Sequence, residues 1–307
     1  MKVISKTGDP RFAEVYVARV RNNPEALIEF VDAADPRYLK SEKWVIIVST
    51  QIGCPIGCLM CDSGTYFLDN LTKDEIFAQI EHVFASCDIH NHPKLKIQFA
   101  RMGEPSLNPA VLDVLEELPT RYPIKGLMPC VATTAPVVAN GWFERLSEIK
   151  TKYYSGGRFQ LQFSINSTDE AERDRIMPTK KWKLEDIARY GDKFYKNGDR
   201  KITLNFALAT KADINVDIIK RHFNPKTFLI KITPVNPTDM AGENRLDSVI
   251  SVEKPYNADN ISKELKTAGY DTIISIGAVE EIAIGSNCGQ SARRLIKKDQ
   301  EYHKISI

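Results

Sequence analysis

The sequence predicts an α/β protein, a partial or full (β/α) barrel with parallel strands inside and helices outside. Two observations predict this fold. From about residue 44 onward, short apolar runs rich in β-branched residues alternate with segments that have helical spacing. About six such units follow one another with no internal repeat and no linker. Repeated βα units form a parallel sheet, and barrels of this kind carry their chemistry at the C-terminal ends of the strands.

The first unit begins with the strand Trp44–Val48, which is followed by a cysteine-containing loop and a helix. Thr72 and Glu75 predict the start of that helix, because together they form a capping box. Further strands are predicted at residues 95–100, 127–133, 159–165, 202–209, 228–234 and 272–276. Helices are predicted at residues 109–118, 142–149, 184–195, 216–223 and 260–268.

Residues 12–20 and 26–31 predict two more strands ahead of the barrel. The chain is therefore divided into a short N-terminal β extension, a barrel and a basic C-terminal tail. Their predicted bounds are residues 1–43, 44–290 and 291–307.

The composition is that of a globular protein, with 43% hydrophobic and 27% charged residues in a chain of 307. Its 42 basic and 40 acidic residues give a net charge of +2, a balance that neither favours nor excludes nucleic acid. No apolar run approaches the roughly 18 residues of a membrane helix, and the first 11 residues are polar. We therefore expect a cytoplasmic protein that binds neither membrane nor DNA.

Three of the six cysteines, Cys54, Cys58 and Cys61, lie on one loop with C-x3-C-x2-C spacing. Clustered thiolates in a cytoplasmic chain favour an iron–sulfur cluster or zinc. Structural zinc takes four protein ligands, whereas a [4Fe–4S] cluster with three leaves one iron open for catalysis. The alternatives are three incidental buried cysteines or a zinc knuckle completed by a distant residue such as His82.

Seven short motifs then resemble one family in order and spacing, between about residues 43 and 290. They are STQIGC (49–54), NLTKDEI (70–76), MGEPSLN (102–108), FSIN (163–166), RDRIMP (173–178), PVNP (234–237) and NCGQ (287–290). The triad spacing is the signature of the radical S-adenosylmethionine (SAM) superfamily, and the motifs resemble the RlmN/Cfr group of RNA adenine methyltransferases. The resemblance implies a radical SAM barrel whose open iron binds SAM. An external electron donor of flavodoxin or ferredoxin type then drives cleavage of SAM to methionine and a 5′-deoxyadenosyl radical.

Five residues at predicted strand ends are expected to contact SAM. Gly103 allows a close backbone approach, and Glu104 can accept the ammonium group of SAM in a charge-assisted hydrogen bond. The resemblance adds Ser164 and Asn236 as contacts to the carboxylate and ribose, and Thr133 occupies a similar strand end. The alternative for each of them is an ordinary turn or polar strand end.

The resemblance gives Cys288 the central catalytic role. In RlmN/Cfr enzymes the matching cysteine is methylated by a first SAM, and the radical then takes hydrogen from its S-methyl group. The resulting carbon radical adds to an sp2 carbon of the substrate, and a thiolate suits both the methyl-acceptor and the leaving-group role. The alternative is a buried small residue. Cys87 and Cys130 are expected to be structural.

Three departures from the family favour a non-ribosomal substrate. Ile47 stands where family members carry a resolving cysteine. Only about 43 residues precede the barrel, too few for the family's RNA-recognition domain. Acidic groups in residues 275–281 replace a basic stretch. The basic tail with Arg293, Arg294, Lys297, Lys298 and Lys304 could contact RNA, but a solvated terminus is the expected reading.

The leading hypothesis is a one-carbon or methyl transfer through Cys288 to an unactivated carbon of a small molecule, a peptide or RNA. Three routes of product release are open: Cys130 replaces the missing resolving cysteine, an external thiol does so, or elimination follows a different route. A second hypothesis keeps the radical but has it abstract hydrogen directly from the substrate, without methylation. A third is a non-catalytic RNA- or metal-binding module.

Overall fold

The protein is described by a computed structural model that covers residues 1–34, 38–85, 93–209, 212–250, 256–275 and 289–305. The described residues form a curved sheet with helices on its outer side. The strands are β1 (Lys2–Asp9), β2 (Ala13–Arg19), β3 (Leu27–Ala34), β4 (Trp44–Val48), β5 (Gln51–Gly53), β6 (Phe67–Asn70), β7 (Leu95–Phe99), β8 (Leu127–Thr133), β9 (Gln160–Ser164), β10 (Ile202–Leu208), β11 (Phe228–Pro234) and β12 (Thr272–Ile274).

The helices follow the predicted alternation with the strands. They are α1 (Lys73–Phe84), α2 (Ala110–Arg121), α3 (Asn140–Tyr153), α4 (Glu170–Ile176), α5 (Leu184–Phe194), α6 (Val216–His222), α7 (Asp239–Glu243), α8 (Tyr256–Thr267) and α9 (Gln290–Ile305). Thr72 caps α1 as predicted, since its hydroxyl accepts from Glu75 N and the Glu75 carboxylate accepts from Thr72 N. None of the described helices is long and apolar enough to cross a membrane.

The main sheet has ten strands in the order β1-β2-β3-β4-β7-β8-β9-β10-β11-β12. All neighbours from β4 to β12 pair in parallel, which confirms the predicted barrel-type sheet. Within the described residues β1 and β12 are the two edges of the sheet, so these strands form the partial version of the barrel.

The N-terminal segment contributes three antiparallel strands, where the sequence predicted two. β3 pairs with β4 through Val31 and Ile47, so these strands continue the barrel sheet. The additional strand, β1, alternates weakly between exposed and half-buried residues, which explains why its sequence gives little strand signal.

The core lies between the sheet and the outer helices. Every second residue of the parallel strands packs there, as in Ile97 and Phe99 of β7 and Leu204 and Phe206 of β10, all of which are fully buried. The intervening residues face the inner side of the curve, because successive side chains of a strand point to opposite faces. The half-buried inner residues include Lys96, Gln98, Gln160, Gln162 and Asn205.

The C-terminal segment differs from the expected solvated tail, because it forms α9 and packs against the barrel. Arg294, Lys297 and Lys298 are exposed as expected, but Arg293 is only 7% exposed. Its charge is buried against acidic side chains from distant parts of the chain, a pairing that the local sequence does not indicate.

Candidate active site

The cysteine triad lies on a loop between β5 and β6, which form a small antiparallel hairpin beyond the end of β4. Cys54 N donates to Tyr66 O at the base of this hairpin, and Cys61 N donates to Cys58 O within the loop. Gly53 has φ +79°, and a Cβ there would lie 2.1 Å from Tyr66 O. The hairpin therefore requires glycine immediately before the first cysteine.

The three thiols share one half-buried environment. Burial raises the pKa of Cys58 well above its ordinary value, and the neighbouring Cys61, Cys54 and Glu104 raise it further. Burial likewise raises the pKa of Cys54, with Cys61 as the next cause. A cationic metal centre offsets this repulsion between thiolates, since thiols deprotonate when they coordinate a metal. The donor set therefore fits an iron–sulfur cluster.

Several groups near the triad stabilise the thiolate form of Cys54 and Cys58. The backbone N–H groups of Ile56 and Gly103 lower the pKa of Cys54. Lys181, which is 8% exposed, acts in the same direction on Cys58. Hydrogen bonds and positive charge near ligand sulfurs are the features with which proteins tune bound clusters.

The cysteine loop, residues 54–61, is anchored by segments distant in sequence. Leu59 N donates to Ile176 O at the end of α4, over 2.9 Å. Thr238 Oγ1 donates to Met60 O over 2.9 Å, and Asn244 Nδ2 donates to Leu59 O over 3.0 Å. The motif at residues 173–178 thus acts in this structure by holding the loop that carries the cysteines.

His82 does not complete the triad as a zinc ligand. Its ring packs edge-on against the rings of Tyr16 and Phe30, at centroid distances of 5.0 and 5.4 Å. Among the described residues, no three His, Cys, Asp or Glu side chains are grouped as a single metal ion requires. Ligands of a [4Fe–4S] cluster each bind a different iron, so they stand further apart than the ligands of one ion.

Glu104 follows β7 and is 3% exposed, with its carboxylate at the centre of a hydrogen-bond network. Oε1 accepts from Ser106 N, Ser106 Oγ and Thr133 Oγ1, at 3.1, 2.7 and 2.5 Å. Oε2 accepts from Thr134 N and Thr134 Oγ1, at 2.8 and 2.9 Å. A carboxylate offers about four lone-pair sites. An ammonium group that binds Glu104 must therefore share or displace one of these five donors.

Gly103 permits a close approach of its backbone to Thr50 and Gln51 beside the start of β5, and its contact with SAM stays a prediction. Its φ is +99°, and a Cβ there would lie 2.6 Å from Gln51 Cβ and 2.7 Å from Thr50 Oγ1. Glu104 N donates to Gln51 Oε1 over 2.7 Å. The residues that lead into the cysteine loop and those that hold the acidic group are therefore in direct contact.

The other predicted SAM contacts also lie at strand ends, but further along the sheet. Ser164 ends β9 and is half-buried, in register with Asn205 of β10. Asn236 follows β11 and is exposed, and its backbone oxygen accepts from Thr238 N. These two positions are two and four strands from β7 along the curve, whereas Thr133 directly contacts Glu104.

Cys288, Cys87 and residues 276–281 lie outside the described residues. Gly289, the next residue after Cys288, is among the described residues and packs against Ser63, just beyond the cysteine loop. It has φ +80°, and a Cβ there would lie 2.4 Å from Ser63 N. Ser63 is two residues beyond Cys61. The start of α9 and the cysteine loop are therefore in contact.

Four further residues belong to this site without having been predicted from the sequence. Ser106 and Thr134 bind Glu104, Lys181 lies near Cys58, and Asp62 is a buried acid next to Cys61. Ser106 and Thr134 carried a usable signal, because polar residues beside Glu104 and Thr133 at neighbouring strand ends must meet. Lys181 and Asp62 depend on tertiary contacts.

Comparison with known proteins agrees with this geometry. No family model matches the chain. It is 26% identical over 250 residues to "Ribosomal RNA large subunit methyltransferase N" of Nitrosopumilus maritimus, covering 80% of this chain and 67% of that protein. It is 27% identical over 253 residues to "Ribosomal RNA large subunit methyltransferase Cfr" of Clostridium botulinum, covering 79% and 68%. The chain thus spans about two thirds of the length of these relatives.

Among solved structures, a radical SAM methyltransferase from Sphaerobacter thermophilus superposes with a TM-score of 0.71. The match covers 94% of this chain and 80% of the other, at 19% identity. The fold is therefore that of the radical SAM enzymes. In sequence, the chain is similar to proteins named as RlmN and Cfr ribosomal RNA methyltransferases, at 26–28% identity.

Proposed function

We propose that this chain is a radical SAM enzyme that transfers a one-carbon unit to an unactivated carbon through Cys288. The observation that carries the proposal is the contact between Gly289 and Ser63. Consecutive Cα atoms lie about 3.8 Å apart, so Cys288 is linked by a single peptide bond to a residue seated beside the cysteine loop. A methyl-carrying thiol has to be next to the site where SAM is cleaved.

Cys54, Cys58 and Cys61 are the proposed ligands of a [4Fe–4S] cluster. When bound, the cluster supplies the electron that cleaves SAM, and an external flavodoxin- or ferredoxin-type protein renews it. Glu104 is the proposed acceptor for the SAM ammonium, because it is a buried carboxylate whose charge acts on both Cys54 and Cys58. Gly103 leaves room for the backbone there, and Thr133 holds the carboxylate.

Ser164 and Asn236 are the proposed contacts for the carboxylate and ribose of SAM. Support comes from their position at the C-terminal ends of β9 and β11, because Glu104 follows the C-terminal end of β7. A cofactor that spans several strands of a parallel sheet meets polar groups at their C-terminal ends.

The proposed substrate is a small molecule or a peptide rather than ribosomal RNA. Ile47 supports this choice, because it packs with Ala13, Val15 and Val31 in a small apolar cluster and offers no nucleophile. Product release therefore has to differ from the family's route. Among the described residues, Cys130 is the one thiol outside the triad, and it is buried on β8.

The test is to reconstitute the cluster anaerobically, add SAM with a deuterated methyl group, and analyse the digested protein by mass spectrometry. We expect a labelled S-methyl group or adduct on Cys288, and Cys288→Ala as the control should lack it while it retains iron. Wild-type protein that carries no label on Cys288 would overturn the methyl-carrier role.

The same experiment separates the other hypotheses. A product without deuterium, formed together with 5′-deoxyadenosine, would indicate direct hydrogen abstraction from the substrate. An intact cluster that yields no 5′-deoxyadenosine with dithionite would indicate a binding module. Deuterium incorporated into large-subunit ribosomal RNA, in cells that express the protein, would contradict the non-ribosomal substrate.

A further inference from the structure

The first turn of α9 is held by a buried carboxylate from another part of the sheet. Glu29 on β3 is fully buried and accepts hydrogen bonds from Gly289 N and Ala292 N, at 3.0 and 2.8 Å. The N–H groups at a helix start have no partners within the helix, and negative charge there suits the helix dipole. Arg101 balances the charge, with Nη2 2.5 Å from Glu29 Oε2.

A second buried carboxylate connects α9 to the cysteine loop. Asp62, which follows Cys61 directly, is fully buried. Its Oδ1 accepts from Arg293 Nη1 over 2.7 Å and from Met240 N over 2.9 Å. Its Oδ2 accepts from Asp239 N over 3.1 Å. One side chain next to the last cysteine thus binds both α9 and the start of α7.

Arg293 on α9 binds a second carboxylate in addition to Asp62. Its Nη2 donates to both carboxylate oxygens of Glu243, at 2.8 and 3.0 Å, while its Nη1 binds Asp62. A planar guanidinium can satisfy two carboxylates at once in a fixed geometry, which the point charge of lysine cannot reproduce. The pairing joins residues that are 231 positions apart in the chain.

The adjacent Arg294 provides an internal comparison. It also forms an ion pair, with Asp239 Oδ1 2.9 Å from Nη2, but its side chain is 58% exposed. The side chains of Arg293 and Asp62 are 8% and 0% exposed. Exposed pairs contribute little, whereas removing one partner of a buried pair leaves an uncompensated charge.

We propose that Arg293 is a positioning residue that, through Asp62, fixes the start of α9 against the cysteine loop. Cys288 lies two residues before Gln290, the first residue of α9, so the pair fixes the backbone to which the proposed carrier thiol is attached. This proposal rests on the proposed function of Cys288. A mere contribution to overall stability would affect the whole fold, whereas positioning acts on α9 and on the fate of the SAM methyl group.

The first measurement is amide hydrogen exchange in Arg293→Met, which keeps the aliphatic stem and removes the charge. Exchange should accelerate in residues 289–298 by at least about tenfold, with β7 and α2 unchanged, because local opening is governed by the contacts of that unit. Arg294→Met is the matched control and should exchange like wild type. Unchanged exchange in α9 of Arg293→Met would overturn the proposal.

The second measurement compares two products in the reconstituted protein: 5′-deoxyadenosine and S-methyl on Cys288. In Arg293→Met, we expect the ratio of methylated Cys288 to 5′-deoxyadenosine to fall by at least about tenfold, as misplacement costs reaction rate. The electron paramagnetic resonance signal of the cluster should be unchanged. Arg293→Lys should restore part of the ratio, and an unchanged ratio in Arg293→Met would also overturn the proposal.

Should Arg293→Met accelerate exchange throughout the chain, the same measurements on Asp62→Asn decide, because this variant keeps the side-chain shape. Localised exchange in α9 supports positioning, and uniform exchange in both variants contradicts it. Failure of the proposed function is recognised separately: wild-type protein would then lack S-methyl on Cys288, while the exchange result for α9 would still stand.

Discussion

Thr133 Oγ1 donates a hydrogen bond of 2.5 Å to Glu104 Oε1. The two residues end neighbouring strands, β8 and β7, and both are almost fully buried. The sequence predicted each of them as a separate contact to SAM. Their direct contact means that Thr133 acts on this site by holding the Glu104 carboxylate in place.

Thr133→Val should test this relationship, because valine keeps the shape of threonine and removes the donor. We expect the free energy of unfolding to fall by about 1.5–3 kcal/mol, the usual range for a hydrogen bond to a charged group. The dissociation constant of SAM should rise in the same variant. Urea unfolding and equilibrium dialysis measure the two effects, and Thr133→Ser, which keeps the hydroxyl, should resemble wild type. Equal stability of the valine variant would contradict the assigned role.

Alanine at any one of Cys54, Cys58 and Cys61 should abolish stable cluster binding, because a cubane with two protein thiolates lacks a ligand for a further iron. Iron and sulfide analysis after anaerobic reconstitution, together with visible absorption, provides the measurement. Cys130→Ala is the control and should bind as much iron as wild type. Iron retained at the wild-type level in all three alanine variants would remove the triad from the site.

Gly103→Ala should disturb the site through the backbone. The added Cβ would meet Gln51 Cβ at 2.6 Å and Thr50 Oγ1 at 2.7 Å, at a φ of +99° that alanine rarely adopts. We expect a loss of about 1–3 kcal/mol in the free energy of unfolding and a lower iron content. Gly141→Ala is the matched control, because its Cβ would meet nothing within 4 Å. This helical substitution should leave stability equal or raise it by up to about 1 kcal/mol.

Under the proposed function, we expect Cys130 to supply the thiol that Ile47 cannot, since it is the one described cysteine outside the triad. Ile47 is in register with Gln98, and Gln98 is in register with Cys130, so all three face the inner side of the sheet. Adjacent strands are about 4.8 Å apart, which puts Cys130 two strands from the family's position. Cys130→Ala should therefore accumulate a covalent adduct between Cys288 and the substrate, detectable by mass spectrometry. Unchanged turnover without added thiol would assign release to another route.

His82 gives the stability a dependence on pH. Burial, and to a lesser extent the charge of Lys6, lowers its pKa below the ordinary value of 6.5. At a pH between the lowered pKa of His82 in the folded protein and its ordinary pKa in the unfolded chain, the unfolded chain binds more protons than the folded one. The free energy of unfolding therefore decreases as the pH falls through about 6.5. His82→Phe keeps the ring contacts with Tyr16 and Phe30 and removes the titration.

The measurement for His82 is the urea midpoint at about pH 7.5 and about pH 5.5, on either side of the ordinary histidine pKa. The midpoint of wild-type protein should decrease more between these conditions than that of His82→Phe. An equal decrease in both proteins would show that other groups account for the pH dependence.

Much of the fold could be predicted from local patterns. The strands at 127–133 and 228–234 have their predicted bounds, and the capping box of α1 forms as Thr72 and Glu75 indicated. These elements depend on period and on side chains a few residues apart, which a sequence displays directly. The hairpin of β5 and β6 was missed, because its strands of three and four residues are too short to show a period.

The sequence by itself determined which reactive groups are present and the order of the βα units. The reactive groups are three closely spaced thiols and an acid after a strand. Tertiary structure alone decided the connections. It set Ile176 against Leu59, and Arg293 on Asp62 across 231 positions. Spacing along the chain carries no information about such pairs, because their geometry exists only once the sheet has curved and α9 has packed against the cysteine loop.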